Sequence, residues 1–230
     1  LLGKNSIACH TGKQNGTIPR NYKAIAKEYY CTEIPCSESL EYVLVDVSNP
    51  AFFENFVNQN QIIELYDHHY GFEKHWKSKL GSASNIHHVG SCATLIWEKY
   101  VEEDRVLNIH PILAELLYLA IVANTLCSKA SVTTDRDKLA MSQIENTGLI
   151  EKQQLVESYY EDVQAQFLSD FKNSFVNDIK EQRWFEKQCF IGQIELLDSD
   201  KVIKEYFVSG IAEEHMKSFI SQDEALWFVI

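Results

Sequence analysis

The apolar residues in the first part of the chain are grouped in short runs, with polar, turn-rich segments between them. Runs at 6–9, 42–45 and 62–66 have the length and the aliphatic character of buried strands. Helical patterns lie at 21–30 and at 50–58, and the second of these has a proline near its start. Strands that alternate with helices form parallel sheets with helices on both faces. The pattern therefore predicts an α/β fold with a doubly wound, mostly parallel sheet.

The middle of the chain has the pattern of packed helices. Gly90-Ser91 precedes an apolar periodic run, which predicts a helix with a serine N-cap. A second helix is predicted at 111–123, and it overlaps the longest apolar run, 116–127, which we expect to lead from a buried helix into a strand end. The segment 131–152 is predicted as a threonine-rich loop followed by a long helix.

A change of composition marks the boundary of a second, smaller domain. Residues 156–170 are polar, rich in Glu and Gln, and helical in pattern, so we interpret them as a linker between domains. The predicted organisation is a first domain at 1–155, this helical linker, and a smaller α/β domain at 171–230. Its predicted elements are a strand at 189–195, a mostly helical segment at 203–220 and a strand at 226–230.

Composition excludes some classes of function. The 230-residue chain is 45% hydrophobic and carries a net charge of -12, which argues against a nucleic-acid partner because nucleic-acid-binding proteins present a basic face. An anionic substrate stays open, since metal ions supply local positive charge. The apolar run at 116–127 is too short to span a bilayer, so no membrane segment is predicted. Six cysteines without a Cys-x-x-Cys pair predict reduced thiols, a cytoplasmic protein and no zinc site.

The candidate chemistry lies where two of the predicted strands end. Asp67-His68-His69 closes one strand and Asp46 closes another. In an open parallel sheet, ligands bind at the carboxyl ends of the strands. A carboxylate beside two imidazoles is a suitable set of metal ligands, although adjacent histidines also occur on ordinary surfaces. The helix start at Gly90-Ser91 presents free N–H groups and a positive dipole that can hold a phosphate, or it is an ordinary capped helix.

In this order and spacing, the motifs resemble the DHH phosphoesterase superfamily. The nearest branch comprises the manganese-dependent family II inorganic pyrophosphatases and the related exopolyphosphatases. The resemblance covers most of the chain and is best over 43–137. The matching segments are Val45-Asp46, Asp67-His68-His69, Gly90-Ser91-Cys92-Ala93-Thr94, residues 117–134 with Thr133-Thr134-x-x-Asp137, and Asp178-Ile179-Lys180.

The resemblance implies a site with two metal ions in the first domain and a second domain that closes over the phosphates. By position, Asp46, His68 and Asn124 would be metal ligands. Asp67 and His69 would be the catalytic residues, with Asp67 orienting the neighbouring histidine. The substrate phosphates would be bound by His69, Ser91 and Lys180.

The activity implied is the hydrolysis of phosphoanhydride bonds in pyrophosphate or short polyphosphate by a metal-activated water. The implied cofactor is Mn²⁺, with Mg²⁺ or Co²⁺ as alternatives and two ions in the full-length protein. The resemblance leaves a homodimer open. Two other hypotheses remain: a phosphodiesterase of DHH type that acts on small nucleotides, and a catalytically weakened relative that binds a phosphorylated ligand.

Three departures from the family pattern shape these expectations. The first acidic motif of the family is not found, which predicts that a strand-helix unit precedes residue 1. An acid of the family is replaced by Asn124, and a neutral amide is a weaker ligand than a carboxylate. The basic Arg-Lys-Lys segment of the family is also not found, so we expect the second domain to be incomplete at Ile230.

Overall fold

The computed structural model describes residues 6–9, 17–31, 40–170, 174, 179–184, 187–193, 199–217 and 225–229. The chain divides into two compact units, Leu1–Thr11 with Tyr30–Val156 and Gly12–Tyr29 with Glu157–Ile230. The strands are β1 (Ala8–Cys9), β2 (Tyr30–Cys31), β3 (Tyr42–Val45), β4 (Ile62–Asp67), β5 (Ser84–Ile86), β6 (Ile179–Trp184), β7 (Lys187–Gln193) and β8 (Ala225–Val229). The helices are α1 (Arg20–Tyr29), α2 (Glu73–Leu80), α3 (Cys92–Glu102), α4 (Pro111–Thr125), α5 (Asp135–Asn146), α6 (Lys152–Ser169), α7 (Ser199–Val202) and α8 (Ile211–Lys217).

The sheet of the first unit is parallel, as predicted. Its strand order is β3-β4-β5, and β1 and β2 form a separate parallel pair. Successive side chains of β4 point to opposite faces of the sheet. Leu65 therefore packs with Trp76 of α2 on one face, and Tyr66 packs with Leu95 of α3 on the other. Apolar layers on both faces confirm the predicted α/β class.

Helices α3, α4 and α5 pack together behind the second face. Trp97, Tyr118 and Ile144 are buried between them. Two of these side chains also carry a polar group that finds a partner on α5: Trp97 Nε1 donates to Gln143 Oε1 at 2.8 Å, and the Tyr118 hydroxyl donates to Glu145 at 2.8 Å. Large aromatic residues thus stabilise the layer while their polar atoms stay hydrogen-bonded.

Two local predictions in this unit are wrong. The segment predicted as a helix at 50–58 contains only a short 3₁₀ turn at Pro50–Phe52, and a second such turn follows at Gln59–Gln61. The side chains of Asn49 and Asn58 accept hydrogen bonds from backbone N–H groups two residues ahead, which favours turns over a helix. A strand end was expected after 116–127, but residues 116–125 form the last part of α4 and residues 126–127 lie in the turn that follows.

The exit from α4 explains why no strand follows it. Leu126, Cys127 and Ser128 all have positive φ, at 48°, 54° and 69°. A left-handed residue at the C-terminal end stops a helix, so the chain leaves α4 through a turn. The helical tract predicted to reach residue 152 is likewise interrupted after α5, where Gly148 has φ 69°.

The second unit contains α1, the part of α6 from Glu157 onward, the strands β6–β8 and the short helices α7 and α8. Strand β7 pairs antiparallel with β6 and parallel with β8. Arg20 binds Asp162 of α6 through its backbone N–H and its guanidinium, with distances of 2.7 and 2.6 Å. The strands at 189–195 and 226–230 were predicted from sequence, whereas β6 was not. The predicted domain boundaries stay predictions.

Membrane insertion was not expected from the sequence. In the described part of the chain, no helix is long and apolar enough to cross a membrane.

Candidate metal centre

The ends of β3 and β4 place Asp46 beside the Asp67-His68-His69 sequence. The two strands are parallel, and Val45 lies opposite Tyr66, so the residues that follow them leave the sheet at the same edge. Asp46 N–H donates to the Tyr66 carbonyl at 2.9 Å. Asp46 also has φ 65°, a left-handed conformation that is uncommon outside glycine and is often found at functional sites.

His68 is held at both ring nitrogens. Its Nδ1 lies 3.1 Å from the Val89 carbonyl oxygen, and its Nε2 lies 3.3 Å from Asp46 Oδ1. A carbonyl only accepts hydrogen bonds, so Nδ1 carries a proton and donates it. The hydrogen bond to Asp46 raises the pKa of His68, although burial acts in the opposite direction. A divalent cation between Nε2 and Asp46 would take the place of the Nε2 proton.

Asp67 is fully buried and organises the two histidines that follow it. Its Oδ1 accepts hydrogen bonds from His68 N at 2.8 Å and from His69 Nδ1 at 2.7 Å. The His69 side chain is 61% exposed, and its Nε2 is left for a ligand. Asp67 Oδ2 is buried and has no hydrogen-bond partner among the described residues. A buried carboxylate oxygen without a partner is costly unless a cation or another donor satisfies it.

These side chains fit a divalent metal ion. One ligand atom each from Asp46, His68 and His69 lies within 4.8 Å of the others. A set of one carboxylate and two imidazoles suits a divalent first-row metal ion, and the unsatisfied Asp67 oxygen lies next to these residues in sequence. Among the residues that the structure describes, this is one group of His, Cys, Asp or Glu side chains that could hold a metal ion. The predicted second ion therefore depends on ligands that this group does not provide.

The helix start at Gly90-Ser91 is capped from within the protein. The Ser91 hydroxyl accepts a hydrogen bond from Ala93 N and donates to the Ala120 carbonyl, both at 3.3 Å. The backbone N–H groups of Gly90 and Ser91 donate to the Asp137 carboxylate at 2.8 and 3.3 Å. This local geometry is that of a capped helix. The predicted contact between Ser91 and a substrate phosphate stays a prediction.

Asp137 is a buried residue whose role the sequence did not reveal. Its side chain is inaccessible to solvent, and it also accepts hydrogen bonds from Thr94 Oγ1 at 2.6 Å and from Thr134 N at 2.7 Å. Burial alone would raise the pKa of Asp137, but these hydrogen bonds outweigh that effect and hold the pKa below its usual value. In the sequence, the Thr134-x-x-Asp137 spacing was the pattern that could have indicated this residue, because Thr134 and Asp137 form a capping box at the start of α5.

Asn124 and Lys180 are the remaining predicted site residues. Asn124 is exposed in the last turn of α4, and its Nδ2 donates to the Ala120 carbonyl at 2.9 Å. The same carbonyl accepts the Ser91 hydroxyl, so Asn124 is linked to the helix start through a shared acceptor. Lys180 lies in β6 of the second unit, and Asp178 lies outside the described residues. The role of Asn124 as a metal ligand and the role of Lys180 as a phosphate ligand stay predictions.

The fold and the cluster define an α/β protein with a metal-type site at the carboxyl edge of a parallel sheet. No family model matches the chain. Its sequence is 28% identical over 206 residues to the manganese-dependent inorganic pyrophosphatase of Methanocaldococcus jannaschii. The aligned region covers 80% of this chain and 62% of the relative. The chain thus spans less than two thirds of that relative.

A solved structure shows the same fold. A crystal structure from Methanococcus jannaschii, provisionally described as a family II inorganic pyrophosphatase, superimposes with a TM-score of 0.58 and 24% identity. The superposition covers 91% of this chain and 70% of the other. The resemblance to manganese-dependent inorganic pyrophosphatases, first seen in the sequence motifs, is confirmed by the sequence comparison, and the superposition confirms the fold.

Proposed function

We propose that this chain is part of a metal-dependent hydrolase of phosphoanhydride bonds, with pyrophosphate or short polyphosphate as its substrate. The observation that carries the proposal is the grouping of Asp46, His68 and His69 at the ends of two adjacent parallel strands. The curated relative is named a manganese-dependent inorganic pyrophosphatase, which favours Mn²⁺ as the ion and pyrophosphate as the substrate.

The metal ligands of the proposal are Asp46 and His68, with Asn124 as a neutral oxygen donor. Divalent ions in such a site activate a water molecule and neutralise phosphate charge. With a net charge of -12, the chain needs that positive charge to accept a polyanion. Asp46 is exposed, so its carboxylate is accessible to an ion from solvent.

Asp67 and His69 are the proposed catalytic pair. Because His69 Nδ1 is bonded to Asp67, its Nε2 is the atom that faces a substrate phosphate. The hydrogen bond to Asp67 holds the imidazole ring of His69 in one orientation toward that phosphate. Lys180 is proposed to bind another phosphate group as a point charge, and Ser91 is proposed to contact the same substrate.

The test is release of phosphate by the full-length protein in the presence of Mn²⁺. Pyrophosphate and tripolyphosphate should release phosphate, and addition of a chelator should abolish the reaction. Small dinucleotides joined by a phosphodiester bond, assayed in parallel, test the phosphodiesterase hypothesis. They contain no phosphoanhydride bond, so only phosphodiesterase activity releases a nucleoside monophosphate from them. If none of these substrates is hydrolysed, the proposal of a hydrolase is wrong.

A second candidate function is a non-catalytic protein that binds a phosphorylated ligand. Two observations favour it: the described cluster offers three ligands, and the amide of Asn124 is already hydrogen-bonded to Ala120. Calorimetric titration of the full-length protein with Mn²⁺ separates the candidates. Tight binding of two ions per chain supports the hydrolase, whereas binding of phosphate without hydrolysis supports the second candidate.

A further inference from the structure

We infer that Asp137 is a positioning residue that orients His68 for metal binding through the peptide unit between Val89 and Gly90. The inference rests on the proposed metal site, because it assigns His68 Nε2 to the ion. Asp137 itself touches none of the three proposed ligand atoms in the described hydrogen bonds. Its effect is transmitted by the backbone of the segment that precedes α3.

The two contacts lie on opposite edges of one peptide plane. The Val89 carbonyl accepts the hydrogen bond of His68 Nδ1 at 3.1 Å. The Gly90 N–H, which belongs to the same peptide unit, donates to Asp137 Oδ2 at 2.8 Å. A peptide unit is planar and its C=O and N–H point in opposite directions. A rotation that breaks one contact therefore also displaces the other.

Asp137 is a firm anchor for this peptide. Its carboxylate is inaccessible to solvent and is fixed by Thr94 on α3 and by Thr134 at the start of α5. Gly90 approaches it closely: a Cβ at this position would lie 3.0 Å from Asp137 Oδ2 and 2.7 Å from Thr125 Cγ2. The absence of a side chain at Gly90 is thus a condition for the contact.

The consequence for His68 is a fixed tautomer and a fixed ring orientation. With Nδ1–H held by the Val89 carbonyl, the lone pair of neutral His68 lies on Nε2, which faces Asp46. The charged Asp137 at the other edge polarises the peptide and strengthens the carbonyl as an acceptor. Metal-binding histidines commonly have their second nitrogen oriented by such a partner, and removing the partner typically weakens metal affinity 10- to 100-fold.

The experiment compares Asp137→Ala with Thr134→Ala as a matched control. The control removes a hydroxyl partner of Asp137 and part of the α5 capping box, but it leaves the bond from Gly90 to the carboxylate. The first readout is the tautomer of neutral His68 in metal-free, ¹⁵N-histidine-labelled protein by NMR, with the signal assigned from a His68→Gln sample. The second readout is the affinity for Mn²⁺ by calorimetry on the full-length protein.

The expected result is loss of the pure Nδ1–H tautomer and an affinity about 10-fold weaker in Asp137→Ala. Both changes should be distinctly smaller in Thr134→Ala, where Thr94 and the Gly90 N–H still hold the carboxylate. If Asp137→Ala does not fold, Asp137→Asn is measured in its place. The amide NH₂ of the asparagine faces a hydrogen-bond donor, so the affinity for Mn²⁺ should be several-fold weaker. An unchanged tautomer and affinity in the folded variant, or equal changes in the control, overturn the inference. Neither readout requires hydrolysis. If the parent protein releases no phosphate, the proposed function is wrong, but the inference about Asp137 is not affected.

Discussion

At the scale of single residues, His68 is the side chain on which the proposed site depends most directly. It contacts Asp46 and the Val89 carbonyl and belongs to neither of the apolar layers that cover the sheet. We expect His68→Ala to lower the affinity for Mn²⁺ by more than about 10-fold, since a ligand contributes more than an outer partner does. Most activity should be lost while the fold is retained.

The measurement for this variant is metal content by elemental analysis together with the far-UV circular dichroism spectrum. His75→Ala is the control, because His75 is an exposed histidine of α2 whose ring contacts Phe72 and Trp76 rather than the cluster. Equal metal content in His68→Ala and the parent protein would remove His68 from the ligand set.

Asn124 is the proposed neutral metal ligand, and its replacement by an acid tests that role. A carboxylate at this position adds a full negative charge to the ligand set, so Asn124→Asp should tighten the binding of Mn²⁺ in the full-length protein. The substitution also loses the hydrogen bond from Nδ2 to the Ala120 carbonyl. A negative charge at the C-terminal end of α4 costs about 0.5 kcal/mol of stability.

The matched control is Asn146→Asp, an exposed residue at the C-terminal end of α5. It carries the same change of charge and the same unfavourable interaction with a helix dipole. Manganese affinity and urea unfolding of both variants separate the two effects. If Asn124→Asp behaves like Asn146→Asp, residue 124 is not a metal ligand.

At the scale of elements, patterns of hydrophobicity predicted most of what builds the site. Strands β3 and β4 were predicted because short aliphatic runs that end in an acid are distinctive, and the start of α3 was predicted from Gly90-Ser91. The predictions failed where tertiary contacts or side-chain capping decide the structure. An apolar run such as 116–127 does not show whether it ends in a helix or a strand, and the structure resolves this through the left-handed exit at 126–128.

The anchor of the site was missed for a related reason. Asp137 lies 46 residues from Ser91 in sequence and is joined to it by a hydrogen bond at 3.3 Å. No local pattern at either position shows that a carboxylate from the start of α5 serves the start of α3. A buried, charged residue within a capping box is recognised only when its other partners are known.

From the lowered pKa of Asp137 we predict how the packing of α3 against α5 depends on pH. Its pKa is lowered in the folded protein, so its contribution to stability is present above the unfolded value of about 3.9 and is lost as the pH falls through the lower folded value. Asp137→Asn should cost about 2 kcal/mol at neutral pH, because a donor then faces a buried donor. This cost should shrink below about pH 4.

Urea unfolding of parent and variant at several pH values provides the measurement. Asp135→Asn is the control, since Asp135 lies in the first turn of the same helix with a fully exposed side chain. Its substitution should leave the unfolding midpoint nearly unchanged at every pH. A constant difference between Asp137→Asn and the parent from neutral to acid pH would contradict the assigned shift.

At the scale of the whole molecule, the division into two units separates the parts of the proposed site. The ligand cluster, the capped helix start and Asp137 all lie in the first unit, whereas Lys180 lies in the second. The proposed ions therefore bind to elements of the first unit. A metal titration without substrate reports on the first unit by itself.

Manganese binding should stabilise the first unit selectively. Binding of a ligand to the folded state at 100 times its dissociation constant raises the free energy of unfolding by about 2.7 kcal/mol. Hydrogen exchange followed by mass spectrometry should accordingly slow in β3, β4 and the start of α3, with little change in β6 and β7.

Because the net charge is -12, any divalent cation also screens repulsion without binding a site. His68→Ala controls for this effect, since it removes a ligand while leaving every acidic residue in place. Equal slowing of exchange in the variant and the parent would show that Mn²⁺ acts through general charge neutralisation and not through the Asp46–His68 site.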